Sequence, residues 1–254
     1  MKVSSLFSGS KGNCTLVDLG TARLLIDAGG SAKAIEEALG TLGLSLADIT
    51  AVFVTHEHSD HTHGLAVIAK KYRTPIHMIR ASAEALGVTP DSPLTDCLTL
   101  HDGEFVLSCD GFEIEAFEAP HDSVACVGYR ITCGDETVGI VTDLGYVTQR
   151  VYDRLRGCCA VMLEANHDCD MVRDGPYPAA LKHRILSGGG HLSNRDCAEF
   201  AGALARSGTK SLLLAHLSRE NNTPETALLA VRQAVEDYGV TVAVTRPDAV
   251  TEWL

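Results

Sequence analysis

Apolar residues in the first thirty positions come in short runs broken by glycine. Lys2 to Phe7, Cys14 to Leu19 and Arg23 to Asp27 each read as β-strands, with Gly9, Gly12 and Gly20 marking the turns between them. After Ser31 the period changes: Ile35, Ala38, Leu39 and Leu42 fall at helical spacing, and Gly40 and Gly43 close the segment. Ala51 to Thr55 is a continuous apolar run of strand length, and Gly64 to Tyr72 reads as a helix. Residues 56–63 are therefore a strand-to-helix loop.

From about Thr99 to Thr142 the pattern becomes successive β segments, among them Phe112 to Phe117, Cys126 to Thr132 and Thr137 to Thr142, which predicts a second sheet. The rest of the chain alternates again. Ala160 to Glu164 and Ser211 to Ala215 read as buried strands, Asn194 to Arg206 and Pro224 to Tyr238 as helices, and Val240 to Val244 as the last strand. Two sheets with helices on their outer faces predict an α/β fold, a four-layer αββα sandwich. No repeat or low-complexity linker interrupts residues 1–254, so a single domain is expected.

Composition narrows the function classes. The apolar runs are far shorter than the roughly 20 residues of a membrane span, and the first residues lack the apolar centre of a secretory signal, so no membrane partner and a cytoplasmic location are expected. Nine cysteines without a Cys-x-x-Cys pair suggest neither a disulfide framework nor a zinc ribbon. A net charge of −12 argues against a nonspecific electrostatic coat for nucleic acid. Nothing in the pattern calls for an obligate protein partner.

The chemistry is concentrated in Thr55-His-Glu-His-Ser-Asp-His-Thr-His63. Imidazole nitrogen and carboxylate oxygen suit borderline metals, and a loop leaving a strand can aim His56 and His58 at one ion and Asp60 and His61 at a second. Three more candidates each end an apolar β run: His121 in Ala-Pro-His-Asp, Asp143 in Ile-Val-Thr-Asp, and His216 in Leu-Leu-Ala-His. Asp122 reads either as a carboxylate that orients a neighbouring imidazole or as an exposed turn residue. His77, His101 and His183 carry no motif.

The order His56-x-His58-x-Asp60-His61, then His121, Asp143 and His216, resembles the metallo-β-lactamase superfamily across almost the whole chain. By that resemblance His56, His58 and His121 bind one metal, Asp60, His61 and His216 a second, and Asp143 bridges them. An intact Asp60-His61 pair is similar to the phosphodiesterase and glyoxalase thioesterase branches. Only 72 residues separate Asp143 from His216, which leaves no room for the insertion of the large RNA-processing relatives. Ser8-Gly-Ser-Lys-Gly-Asn13, Leu163-Glu-Ala-Asn-His-Asp168, Gly190-His-Leu-Ser-Asn194 and Ala215-His-Leu-Ser-Arg-Glu-Asn-Asn222 resemble the YycJ-like (WalJ) family of DNA exonucleases. The resemblance implies 5′-to-3′ hydrolysis of double-stranded DNA; a small phosphodiester or a glyoxalase-like thioester is the alternative substrate.

The same segments have readings of their own. The amides of the Gly9 to Gly12 loop with Ser10 and Asn13 suit either a phosphate or an ordinary hairpin turn. Gly188, Gly189 and Gly190 lead to His191, and Ser193 and Asn194 precede a helix whose N-terminus either receives an anion or is capped by these side chains. His191 reads as a contact to substrate phosphate and a candidate general acid. Two divalent ions, zinc, manganese or iron, would lower the pKa of a water between them, with Asp60 orienting the resulting hydroxide.

Overall fold

A computed structural model describes residues 1–109, 111–187, 190–247 and 249–254. Of the segments singled out above, Gly188 and Gly189 lie outside the described residues. The chain divides into two compact units, Met1–Phe105 with Ser123–Cys126 and Thr245–Leu254, and Val106–Asp122 with Val127–Val244.

The first unit carries β1 (Lys2–Phe7), β2 (Cys14–Asp18), β3 (Arg23–Ile26), α1 (Ala32–Thr41), β4 (Ala51–Phe53), α2 (Ser59–Thr62), α3 (Leu65–Tyr72), β5 (Ile76–Ile79), α4 (Arg80–Ala85) and β6 (Leu98–His101). β1, β2 and β3 form an antiparallel meander because short glycine turns join them. From β3 onward a helix or a long connection separates each strand from the next, and β3, β4, β5 and β6 run parallel. Leu25, Val52 and Ile76 from the sheet pack with Ile35 and Leu39 of α1 and Leu65 and Ile68 of α3 in one apolar core. Ser31 caps α1 by accepting the Ala34 N–H, which fixes where that helix begins.

The second unit carries β7 (Phe105–Cys109), β8 (Phe112–Glu118), β9 (Val127–Cys133), β10 (Glu136–Val141), α5 (Gln149–Leu155), β11 (Ala160–Glu164), α6 (Cys169–Asp174), α7 (Ala179–Leu186), α8 (Asn194–Arg206), β12 (Ser211–Ala215), α9 (Pro224–Val235) and β13 (Thr241–Val244). Its sheet has the order β13-β12-β11-β10-β9-β8-β7. β8, β9 and β10 are antiparallel, whereas β10, β11, β12 and β13 are parallel. β11 and β12 are buried along nearly their whole length, as continuous apolar runs in parallel sheets should be. The final strand, β14 (Thr251–Glu252), pairs with β1 in the sheet of the first unit.

Three expectations need correction. The strand beginning near Thr99 is β6 and belongs to the first sheet, not the second. Thr241–Val244 is not the last strand, since β14 follows it. β5, α2, α4, α5, α6 and α7 are absent from the sequence pattern, and α2 lies inside the segment expected to be a loop: β5, α2 and α4 are four, four and six residues long, and α7 buries no residue, so it shows no amphipathic period. Among the described residues no helix is long and apolar enough to cross a membrane. The nine cysteines form no disulfide.

Candidate metal centre

The candidate ligands sit where parallel strands end. In the first unit Asp27 follows β3 and His56 follows β4 by a short extension, and those strands are parallel neighbours. In the second unit Asp143 follows β10, Glu164 ends β11 and His216 follows β12, on three adjacent parallel strands. Carboxyl ends of parallel strands are where open α/β sheets gather functional side chains. Asp27, Asp143 and His216 each adopt a left-handed backbone, with φ of 64°, 57° and 57°. For a non-glycine residue that conformation is strained, and it turns each side chain sharply off its strand.

In the first unit the loop after β4 makes one tight turn. His58 caps α2, and Asp60 and His61 lie within that helix. Asp27 accepts three hydrogen bonds: from Thr55 N–H (2.8 Å), Thr55 Oγ1 (2.9 Å) and His61 Nδ1 (2.8 Å). His56 Nδ1 is 3.0 Å from Thr55 Oγ1. Both buried rings are thereby fixed through Nδ1, and Nε2 is the nitrogen each could offer to a metal. Asn13 Nδ2 lies 3.0 Å from His61 Nε2 and 3.3 Å from Asp60 Oδ2, while its Oδ1 accepts the Gly9 N–H at 2.9 Å. Gly29 permits this crowding, because a Cβ there would come within 1.6 Å of the Asp60 carbonyl oxygen.

In the second unit one carboxylate organises the cluster. Glu164 Oε1 accepts from His191 Nδ1 at 2.8 Å and from His216 Nδ1 at 2.9 Å, and Oε2 accepts the backbone N–H of Leu144 (2.7 Å) and Leu192 (3.2 Å). Burial by itself pushes Glu164 up, but the His191 and His216 rings outweigh it and hold the carboxyl at about 2. The reciprocal effect raises His191: burial depresses it, and the Glu164 charge more than compensates. His121 donates from Nδ1 to the Gly190 carbonyl at 2.8 Å, and burial holds that ring below its ordinary value despite Asp143 nearby. Arg184 of α7 pairs with Asp122, so the loop carrying His121 is tied to α7 and Gly190 by two contacts.

The donor set determines what ion these residues could hold. Ligand atoms of Asp143, Glu164, His191 and His216 lie within 4.8 Å of one another. The 2.8 and 2.9 Å contacts make Glu164 a hydrogen-bond partner of the two rings, which leaves Asp143 and His216 Nε2 as candidate metal donors and His191 Nε2 as a candidate for proton transfer. Imidazoles anchored through Nδ1 by a carboxylate or carbonyl are the arrangement in which a protein presents Nε2 to zinc and similar ions. The residues present fit a divalent metal.

The other expected site residues fall as follows. Ser10 is exposed in the turn after β1, and Asn13 is buried against Asp60 and His61. Ser193 caps α8 by accepting the Asp196 N–H, and Asn194 is buried with its amide exchanging hydrogen bonds with Asn222 at 2.8 and 2.9 Å. Both therefore hold the loop that carries His191. In the sequence pattern Asp27 is only a strand residue, and Glu164 sits within a motif without a role of its own. A carboxylate at the end of a buried apolar strand, where water cannot solvate it, is the signal that marks them.

The β-lactamase superfamily domain model matches residues 22–217. The chain belongs to the β-lactamase superfamily. As a member, it is 36% identical over 258 residues to the exodeoxyribonuclease WalJ of Streptococcus pneumoniae serotype 2 (strain D39), covering 98% of this chain and 96% of that one. It is also 36% identical over 236 residues to the exodeoxyribonuclease YycJ of Bacillus anthracis, covering 93% and 89%. The superfamily fold extends to the metallo-β-lactamase fold protein YhfI from Bacillus subtilis, with a TM-score of 0.74 at 18% identity over 99% of this chain and 98% of that one. The superfamily expected from the histidine pattern, the YycJ-like family expected from the four further segments, and the α/β fold class expected from the hydrophobic pattern are thus borne out.

Proposed function

We propose that this protein is a metal-dependent exonuclease that degrades double-stranded DNA from the 5′ end. The observation that carries the reading is the 36% identity to named exodeoxyribonucleases along nearly the entire chain, and the anchored histidines of both units support it. The family match at residues 22–217 runs through both compact units, in keeping with a single hydrolase domain over residues 1–254.

In this reading His56, His58 and His121 would hold one divalent ion, and Asp60, His61 and His216 a second, with Asp143 a ligand common to the two. The all-nitrogen-and-oxygen donor set suits zinc, manganese or iron. When bound, two such ions polarise the phosphoryl oxygens and bring a water within reach of deprotonation near neutral pH. Asp60 would accept a hydrogen bond from the attacking water and orient it. Asp27 and Glu164 keep His61 and His216 in the tautomer that presents Nε2. The Glu164 carboxylate favours the protonated form of His191, which would donate to the departing oxygen. Asn13 positions Asp60, and Ser10 at the exposed turn contacts substrate phosphate. Ser193 and Asn194 support the approach of His191 to the same phosphate.

The test is degradation of end-labelled duplex DNA, single-stranded DNA and RNA by purified protein with added manganese or zinc, beside Asp60→Ala. Metal-dependent shortening of duplex from the 5′ end, lost in the variant, is expected. No cleavage of any nucleic acid under either metal would overturn the reading in favour of a small phosphodiester or thioester.

A further inference from the structure

The second unit has a cleft of about 510 Å³ between the loop entering α5 and the outer face of α8, a volume in the range of small-ligand sites, roughly 300–1,000 Å³. Its inner wall includes Gly145 and Leu192. Gly145 is two residues from Asp143, and Leu192 adjoins His191. Glu164 Oε2 pins both approaches by accepting the N–H groups of Leu144 and Leu192. Two segments of the cleft's lining are therefore tied by Glu164 to the chain that carries Asp143 and His191.

Its lining selects a ligand chemistry. Tyr146 is 56% exposed although it lies beside a buried cluster. Tyr152 and Phe200 meet edge to face behind it, with centroids 6.5 Å apart. Asp196 and Glu199 of α8 put carboxylates on the wall, which repel phosphate and accept N–H donors. Asp196 already takes the Ser193 hydroxyl at 2.7 Å, which ties it to the helix cap, whereas Glu199 lies one turn further along the cleft wall. Arg206 of the same helix adds a donor to this wall, so the lining suits a flat group that carries both N–H donors and acceptor atoms, as a nucleobase does.

We propose that this cleft binds the base of the strand-terminal nucleoside, stacked on Tyr146 and hydrogen-bonded by Glu199. The proposal rests on the exonuclease reading and adds to it a base subsite that recognises a strand end irrespective of sequence, since every base has a π-face.

The experiment compares duplex DNA with an ordinary terminal nucleoside and duplex whose terminal nucleoside lacks its base. For the wild type, kcat/KM is expected to fall about tenfold on the baseless end. Tyr146→Ala should show about the same fall on the ordinary end and no further fall on the baseless one, and Tyr146→Trp should restore the difference. Equal rates for wild type and Tyr146→Ala on the ordinary end, or losses that multiply, would overturn the proposal. A second measurement needs no cleavage: 2-aminopurine at the strand end, mixed with metal-free protein, should be quenched by wild type and not by Tyr146→Ala. Quenching without cleavage would sink the exonuclease reading and spare the subsite. Cleavage by wild type with no quenching in it would do the reverse.

Discussion

Asp27 Oδ2 lies 2.8 Å from His61 Nδ1, with both side chains buried. A carboxylate so placed sets the tautomer and the angle of the ring, and its removal from a metal-binding histidine typically costs 10–100-fold in affinity or activity. Asp27→Asn keeps the shape and loses the charge. It is expected to weaken metal binding by about that factor, read by competition against a chromophoric chelator, with an unchanged circular dichroism spectrum. Unaltered affinity would mean that Asp27 serves only the fold.

His191→Ala should keep its metal and lose activity. Glu164 holds His191 and His216 through the same oxygen, but only His216 is assigned as a ligand. The variant is expected to bind the wild-type quantity of metal by elemental analysis while kcat falls about 10²–10⁴-fold, as for loss of a general acid. A full nuclease rate would remove His191 from the mechanism.

Gly29 and Gly40 should respond oppositely to alanine. A Cβ at Gly29 meets the Asp60 carbonyl oxygen at 1.6 Å and the Asn13 nitrogen at 2.6 Å, both backbone atoms that have little freedom to retreat. Gly29→Ala should lower stability by about 1–3 kcal/mol or more and disturb metal binding. Gly40 sits in α1 with nothing within 4 Å of its would-be Cβ, so Gly40→Ala should stabilise by about 0.5–1 kcal/mol. Thermal melts of the two variants decide it; a Gly29→Ala protein that melts with the wild type would contradict the packing argument.

His77 stacks between Phe53 and His101, with ring centroids 4.6 and 5.4 Å away, and burial followed by the His101 charge lowers it to about 4. The folded state thus resists a proton that the unfolded chain accepts near pH 6.5. The stability this confers is complete above that pH and is lost as the pH falls toward 4. Discounted for the exposure of a half-buried ring, the loss is about 1 kcal/mol, or about 2–4 °C in Tm. His77→Phe keeps the stack and removes the proton site. The difference in Tm between His77→Phe and wild type should be constant above pH 6.5 and grow in favour of the variant below it; a pH-independent difference would refute the assignment.

The sequence is most informative where one physical demand acts alone. β1, β12 and α8 lie where alternation and helical spacing put them, because each has one buried face or is buried throughout. The histidine cluster is legible because four histidines and two carboxylates crowd into residues 56–63 directly after one apolar strand, a density of metal-ligand types that suits a shared cation. Asp27 and Glu164 are not, since each reads as one more residue of an apolar strand until the partner 34 or 27 residues away is brought to it. Asn194 and Ser193 carry an ambiguity that only contacts resolve: cap and anion-binding residues are the same types at the same positions, and here they are engaged by α8 and Asn222.

Asp27, Asp143 and His216 all hold a backbone conformation that glycine tolerates better than they do. Glycine at 143 or 216 would relax about 1 kcal/mol or more of strain while deleting a donor to the candidate centre. Directed evolution for heat resistance alone would therefore be drawn toward glycine at these positions and would yield sturdier, inactive proteins. Only selection on turnover keeps the aspartate and the histidine in place.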